Sequence, residues 1–156
     1  MGKKQPSRTM NSCQFDLVLF ASKFDFVAPE AVLPEAVAAT KRDILSQLID
    51  ALAAIDAIPP GAEASVLKSV LQREELGTTG VGRGIAIPHV KHPAIREVVA
   101  SVAYCPEGVD FDSLDGRKVQ LVFLVLAPVD AMTEQLEAIR EIAIEVRNGG
   151  AWEEGA

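Results

Sequence analysis

Gly77-Thr78-Thr79-Gly80-Val81-Gly82-Arg83-Gly84-Ile85-Ala86-Ile87-Pro88-His89 is the stretch on which the reading of this chain turns. A glycine-studded loop leads into a short apolar segment and closes on proline, then histidine. Glycines let a backbone turn sharply and offer its amides to an anion. Imidazole is a neutral nucleophile near pH 7. An anion cradle of Gly80, Gly82 and Gly84 beside a nucleophilic His89 points to phosphoryl transfer. Plainer readings fit the same residues: turn glycines, capping threonines at Thr78 and Thr79, solvated charges at Arg73 and Arg83, and a structural histidine at a strand end.

Upstream, Thr40-Lys41-Arg42-Asp43 reads as a helix start, with Thr40 as cap and Asp43 reaching back. Ile44, Leu45, Leu48, Ile49, Leu52 and Ile55 then recur at helical spacing, and Pro59-Pro60-Gly61 stops the run. A second helix is expected from about Ala62 to Leu76, with Val66, Leu67, Val70 and Leu71 inward, delivering Arg73, Glu74 and Glu75 beside the glycine loop. Downstream, Ile85 to Ile87 and Val98 to Tyr104 read as strands, and Pro106 to Gly116 as a turn-rich connection. Val119 to Leu126 is an apolar run of strand length, interrupted only by Gln120, as expected of a strand buried on both faces. Thr133 to Val146 reads as a helix with Leu136, Ile139, Ile142, Ala143 and Val146 inward. Helices flanking buried strands predict an α/β fold.

The chain has 156 residues, 49% of them hydrophobic, and a net charge of -7. Its mean hydropathy is +0.20. These values fit one compact domain with a real core and exclude a disordered chain. The acidic balance argues against a nucleic-acid surface, which needs a basic stripe, and suits a basic partner patch. Cys13 and Cys105 match no metal or redox spacing and read as free thiols. The longest apolar run, Leu121 to Ala127, is far shorter than the roughly 20 residues a spanning helix needs. Lys3, Lys4 and the run from Phe15 to Ala21 faintly resemble a signal peptide, but Asp16, Lys23 and Asp25 break that pattern. A cytoplasmic protein without membrane insertion is expected. Residues 1–23 read as an N-terminal extension (Met10 offers an internal start), 24–147 as the domain and 148–156 as a tail. Phe15 to Phe20 reads as either a stray strand or an ordered arm.

Nucleotide motifs are absent. No Gly-x-x-x-x-Gly-Lys-Ser/Thr occurs, the loop runs from helix into strand, and Gly-x-Gly-x-x-Gly spacing is missing. His89 and His92 alone do not fill a zinc shell. His92, before Pro93, reads as a solvent-facing loop residue. No metal or cofactor is expected.

Arg73-Glu74, Leu76-Gly77-Thr78-Thr79-Gly80-Val81-Gly82 and Gly84-Ile85-Ala86-Ile87-Pro88-His89 together resemble the signature of type-2 EIIA domains of the bacterial phosphotransferase system, in its fructose, mannitol and nitrogen-regulatory branch. Asp115-Gly116 before Val119 to Pro128 fits the same family, and the resemblance covers about residues 24–147. It implies a central mixed sheet with helices on both sides. It implies a phosphohistidine at His89, charged by an HPr-like phosphocarrier protein and discharged to an EIIB domain, with neither metal nor nucleotide in that step. Arg73 and Thr79 match residues the family keeps near its histidine. A second family histidine is replaced here by Gln135, which can donate a hydrogen bond to phosphate but cannot carry a proton's charge. That departure suggests regulation of sugar transport in place of fast onward transfer. The family usually continues with a further helix that this chain lacks, and an apolar face so exposed invites self-association as a homodimer. Two alternatives stand beside the relay: a degenerate EIIA-like regulatory binding module with weak or no phosphotransfer, and an anion-binding scaffold. Loop amides and Arg73 would neutralise the phosphoryl oxygens, and the second ring nitrogen of His89 needs an acceptor, expected to be a backbone carbonyl.

Overall fold

The computed structural model describes residues 16–149. Expectations for Met10, Cys13 and the rest of residues 1–15, and for Trp152 and the rest of 150–156, fall outside the described residues. The elements run α1 (Leu17–Ala21), β1 (Val27–Leu33), α2 (Lys41–Ala54), α3 (Glu63–Leu76), β2 (Gly80–Gly82), β3 (Ile85–Ala86), β4 (His89–Lys91), β5 (Val99–Val109), β6 (Val119–Ala127) and α4 (Met132–Gly149).

Strand β6 organises the molecule. All nine of its residues are buried, so its apolar run, interrupted only by Gln120, is what two covered faces require. Val122, Leu124 and Leu126 point into one core, shared with α2 and α3. Leu121, Phe123 and Val125 point into the other, shared with α1 and α4. The sheet order is β1-β5-β6-β3-β2, with β4 also on β6. β5 pairs antiparallel with β6, while β1 on β5 and β3 and β4 on β6 are parallel. The expected mixed sheet between helices is therefore present.

Local chemistry explains the helices. The Thr40 hydroxyl accepts from the Asp43 amide at 3.1 Å, and the Asp43 carboxylate accepts from the Ala39 amide, one residue before the cap. Ile44, Leu45, Leu48, Ile49 and Leu52 are all buried along α2. Burying each such side chain stabilises the fold by roughly 1.5–3 kcal/mol.

Four features differ from the sequence reading. Residues 17–21 form a short helix capped by Asp16, and Leu17, Phe20 and Ala21 are buried. Phe20 and Phe24 both meet Phe123 edge-on, at 6.3 and 5.7 Å between ring centres, so this segment closes the α4 side of the sheet. Strand β5 continues through Pro106 to Val109 where a turn is expected. An irregular register between Tyr104 and Val109 accommodates it, and the Gln120 amide donates to the Pro106 carbonyl at 2.9 Å. Strand β4 is unforeseen: three residues follow Pro88 onto the edge of β6.

The fourth difference is the facing of α4. Leu136, expected inward, is 57% exposed, and Gln135 is 3% exposed. Gln135, Ala138, Ile142 and Val146 make the inward stripe. The reason is polar. The Gln135 amide donates to the Val90 carbonyl at 2.9 Å and the Val125 carbonyl at 3.4 Å, pairing that leucine could not supply. Cys105 is a free buried thiol, pushed up to about 11 by burial and then by the Asp43 charge. Among the described residues no helix is long and apolar enough to cross a membrane.

Candidate functional site

His89 opens strand β4, opposite Val125 of β6, and is half-buried. Its Nδ1 lies 2.8 Å from the Ile87 carbonyl. A carbonyl only accepts, so Nδ1 carries the hydrogen and Nε2 keeps its lone pair. Nε2 has no hydrogen-bond partner among the described residues. This is the acceptor expected from sequence, now identified as Ile87.

Behind His89 lies a run of buried polar contacts. The Ile87 amide donates to the Thr79 carbonyl at 3.1 Å. The Thr79 hydroxyl donates to Glu74 Oε2, and the Thr79 amide donates to Glu74 Oε1 at 3.3 Å. Lys41 Nζ completes the carboxylate's partners at 3.0 Å, with side-chain exposures of 19% for Lys41 and 3% for Glu74. The ammonium also sits 5.1 Å above the centre of the Phe111 ring. A carboxylate this buried is tolerable because three donors meet it, one of them a cation.

Glu74 was expected beside the glycine loop and Lys41 only at a helix start; their buried pairing was not anticipated. A signal existed: Val66, Val70 and Glu74 lie four residues apart, so helical spacing sets the carboxylate on the inward stripe of α3. Arg73, on the neighbouring position, donates from Nη1 to the Gly77 carbonyl at 2.8 Å and ties off the helix end.

The three glycines are not gathered around His89. β2 and β3 form a hairpin in which Gly80 pairs with Ala86 and Gly82 with Ile85. Arg83 and Gly84 both have positive φ, 61° and 82°, the pattern of a tight I′-type turn. Its open end, at Thr79 and Ile87, is two residues from His89. Its closed end lies toward the start of β6, because Ile85 pairs with Leu121 and His89 with Val125. Four residues of strand separate the two, about 13 Å. The closed turn does hold an anion, but it is the protein's own. The Arg83 amide donates to Asp115 Oδ2 at 2.9 Å, and a Cβ on Gly82 would lie 3.3 Å from that oxygen. The Arg83 amide, then the Arg117 amide, hold the Asp115 carboxyl below its usual range. Gly80 is glycine for another reason, since a Cβ there would collide with Ser113 Oγ. Its amide donates to the Thr78 hydroxyl at 3.0 Å.

His92 is buried, not the solvent-facing residue expected. Its Nδ1 accepts from the Ala94 amide at 3.0 Å, so Nε2 carries the hydrogen and faces Ser65 Oγ at 2.9 Å. Both nitrogens are occupied, because the chain turns back after β4 and packs the imidazole against α3. Among the described residues no group of three or more His, Cys, Asp or Glu side chains is placed to hold a metal ion.

The family model for the phosphoenolpyruvate-dependent sugar phosphotransferase system, EIIA 2, matches residues 25–149. A nitrogen regulatory protein of Bradyrhizobium diazoefficiens is 44% identical over 125 residues, 80% of this chain and 79% of that protein. The crystal structure of nitrogen regulatory protein IIA-Ntr from Neisseria meningitidis has a TM-score of 0.71 at 25% identity, covering 81% of this chain and 88% of that one. The mannitol enzyme IIA of Escherichia coli, solved in complex with phosphorylated enzyme IIB, has a TM-score of 0.62 at 20% identity, covering 75% and 81%, and shares the fold.

Proposed function

This chain belongs to the EIIA 2 family of the phosphoenolpyruvate-dependent sugar phosphotransferase system, and we propose that within it Nε2 of His89 carries the phosphate. The observation that supports this most is the 2.8 Å bond from His89 Nδ1 to the Ile87 carbonyl. It leaves the other nitrogen's lone pair as the nucleophile without any proton having to move first.

In the reaction, Nε2 attacks the phosphorus carried by an HPr-like phosphocarrier protein. A new N–P bond forms as the bond to the carrier's leaving nitrogen breaks. Nδ1 keeps its hydrogen on Ile87 throughout, which steadies the ring as charge builds on it. Such a transfer needs in-line placement and neutralised oxygens more than covalent help. Arg73 supplies positive charge at the open end of the hairpin, because its bond to Gly77 uses one of five guanidinium donors. Gly82 and Gly84 serve the turn held by Asp115 and stay away from the phosphate. Exposed Val129, Met132 and Leu136, around the buried Gln135, offer an apolar docking face that an EIIB domain, a regulatory target or a second copy of the chain would cover. The exchange takes place in the cytoplasm.

The test is labelling by a phosphoenolpyruvate-charged carrier protein, comparing wild type with His89→Ala. Acid-labile, alkali-stable label on wild type alone is the expected result. No label with a competent carrier would remove His89 as acceptor.

One observation favours a second reading, in which phosphorylation serves as a switch. The Gln135 amide spends its hydrogens on two backbone carbonyls, so it has none for a phosphate. A phosphate on His89 would add roughly two negative charges beside the apolar face and change what docks there.

A further inference from the structure

We propose that Lys41, Glu74 and Thr79 form a buried clamp that sets the tautomer of His89. They are positioning residues for the transfer, and this inference rests on His89 as the phosphate acceptor. Thr79 matches a family position expected near phosphate, yet its single hydroxyl hydrogen is committed to Glu74 Oε2. The Thr79 amide is held by the other oxygen of the same carboxylate. Two bonds from one rigid group fix the Thr79 peptide in place and orientation. Its carbonyl then receives the Ile87 amide at 3.1 Å, and the Ile87 carbonyl receives His89 Nδ1–H at 2.8 Å.

The intervening residue explains why the clamp matters. Pro88 has no amide hydrogen, so it adds no donor to anchor this segment. Its carbonyl accepts from the Val125 amide at 2.9 Å, which fixes the strand to β6. The Thr79 carbonyl holds the Ile87 amide, so residue 87, from which the carbonyl facing His89 projects, is placed from Thr79. Lys41 Nζ holds Glu74 Oε1 at 3.0 Å from α2 and so fixes where the carboxylate meets Thr79. The cation on α2, the carboxylate on α3 and the hairpin threonine thus act on the histidine through three residues that touch no substrate.

The experiment reads the tautomer directly, with no need for phosphorylation. Long-range proton–nitrogen correlation spectra of the full chain at neutral pH report whether Nδ1 or Nε2 of His89 bears the hydrogen. The variants are Glu74→Gln, Lys41→Met and Thr79→Val, with Thr79→Ser as the conservative control that keeps the hydroxyl. Wild type and Thr79→Ser should show mainly the Nδ1–H form. The other three should shift toward the Nε2–H form and lose about tenfold or more in labelling rate, as expected when a nucleophile is misaligned. His92 signals should not move. If Glu74→Gln fails to fold, Thr79→Val carries the test alone. An unchanged His89 tautomer in folded variants overturns the clamp. Absence of label on wild type would instead overturn the acceptor reading, while the spectra still report on the clamp.

Discussion

Strand β4 carries a histidine at its start and another just past its end, and the two are in opposite chemical states. His89 puts its hydrogen on Nδ1 for Ile87 and leaves Nε2 bare. His92 accepts at Nδ1 from the Ala94 amide and turns Nε2–H toward Ser65. The first ring is half-buried with one nitrogen unoccupied, and the second is buried with both in use. Three residues of sequence separate the proposed nucleophile from a structural tie. What divides them is where each ring's first hydrogen bond goes. The carbonyl behind His89 can only accept, and the amide beside His92 can only donate.

The largest test of that contrast exchanges chemistry for stability. His92→Ala strips an acceptor from the Ala94 amide and a partner from Ser65 in a buried setting. A loss of roughly 1–3 kcal/mol in urea unfolding is expected, with labelling retained. His89→Ala removes the label and costs less than about 1 kcal/mol, since one hydrogen bond at a half-exposed ring is lost. Equal destabilisation by the two variants would break the distinction.

Gln135 sharpens the comparison from the α4 side. Its amide pins the carbonyls of Val90 and Val125, next to His89 along the strand and across from it. Gln135→Leu should lower stability by about 1 kcal/mol, measured by urea unfolding. Gln135→His would bring a group able to share a proton with the departing phosphate. We expect it to speed transfer to an EIIB partner by about tenfold or more, a modest share of what acid–base assistance can supply. Wild-type transfer as fast as the variant's, in rapid-quench measurements, would sink the view that glutamine slows discharge.

Much of this is legible in the amino-acid sequence. The Thr40 cap, the two helices after it and the buried strand from Val119 to Leu126 follow from short-range rules of capping and periodicity. The need of the His89 ring for a carbonyl acceptor also followed, because a neutral imidazole that keeps one nitrogen bare must place its hydrogen from the other. What could not be read was facing and distance. Nothing in Thr133-Glu134-Gln135-Leu136 says that glutamine turns inward and leucine outward, since the deciding carbonyls lie on β4 and β6, far away in sequence. The glycines suggested one cradle because they are adjacent in the chain. The hairpin register separates their turn from His89 and gives it to Asp115. Glu74 could have been found by asking why a carboxylate shares a stripe with Val66 and Val70.

The smallest effect lies at that turn, and it asks whether the contrast between the histidines depends on the glycine loop as a whole. Asp115 is exposed, and its carboxylate is tied to the Arg83 and Arg117 amides, which lower its pKa. A carboxyl whose folded pKa is depressed stabilises the fold above its unfolded pKa, and that contribution fades as pH falls through the folded value. The Arg83 and Arg117 amide signals should therefore hold steady down to about pH 4 and move only below it. Asp115→Asn at neutral pH should shift those same two amides. It should leave the His89 and His92 tautomers as they are, since the open end is held by Thr79 and Glu74 instead. A change in the His89 tautomer in Asp115→Asn would mean that the hairpin transmits its turn geometry along four residues of strand, and the nucleophile would then owe its state to the glycines after all.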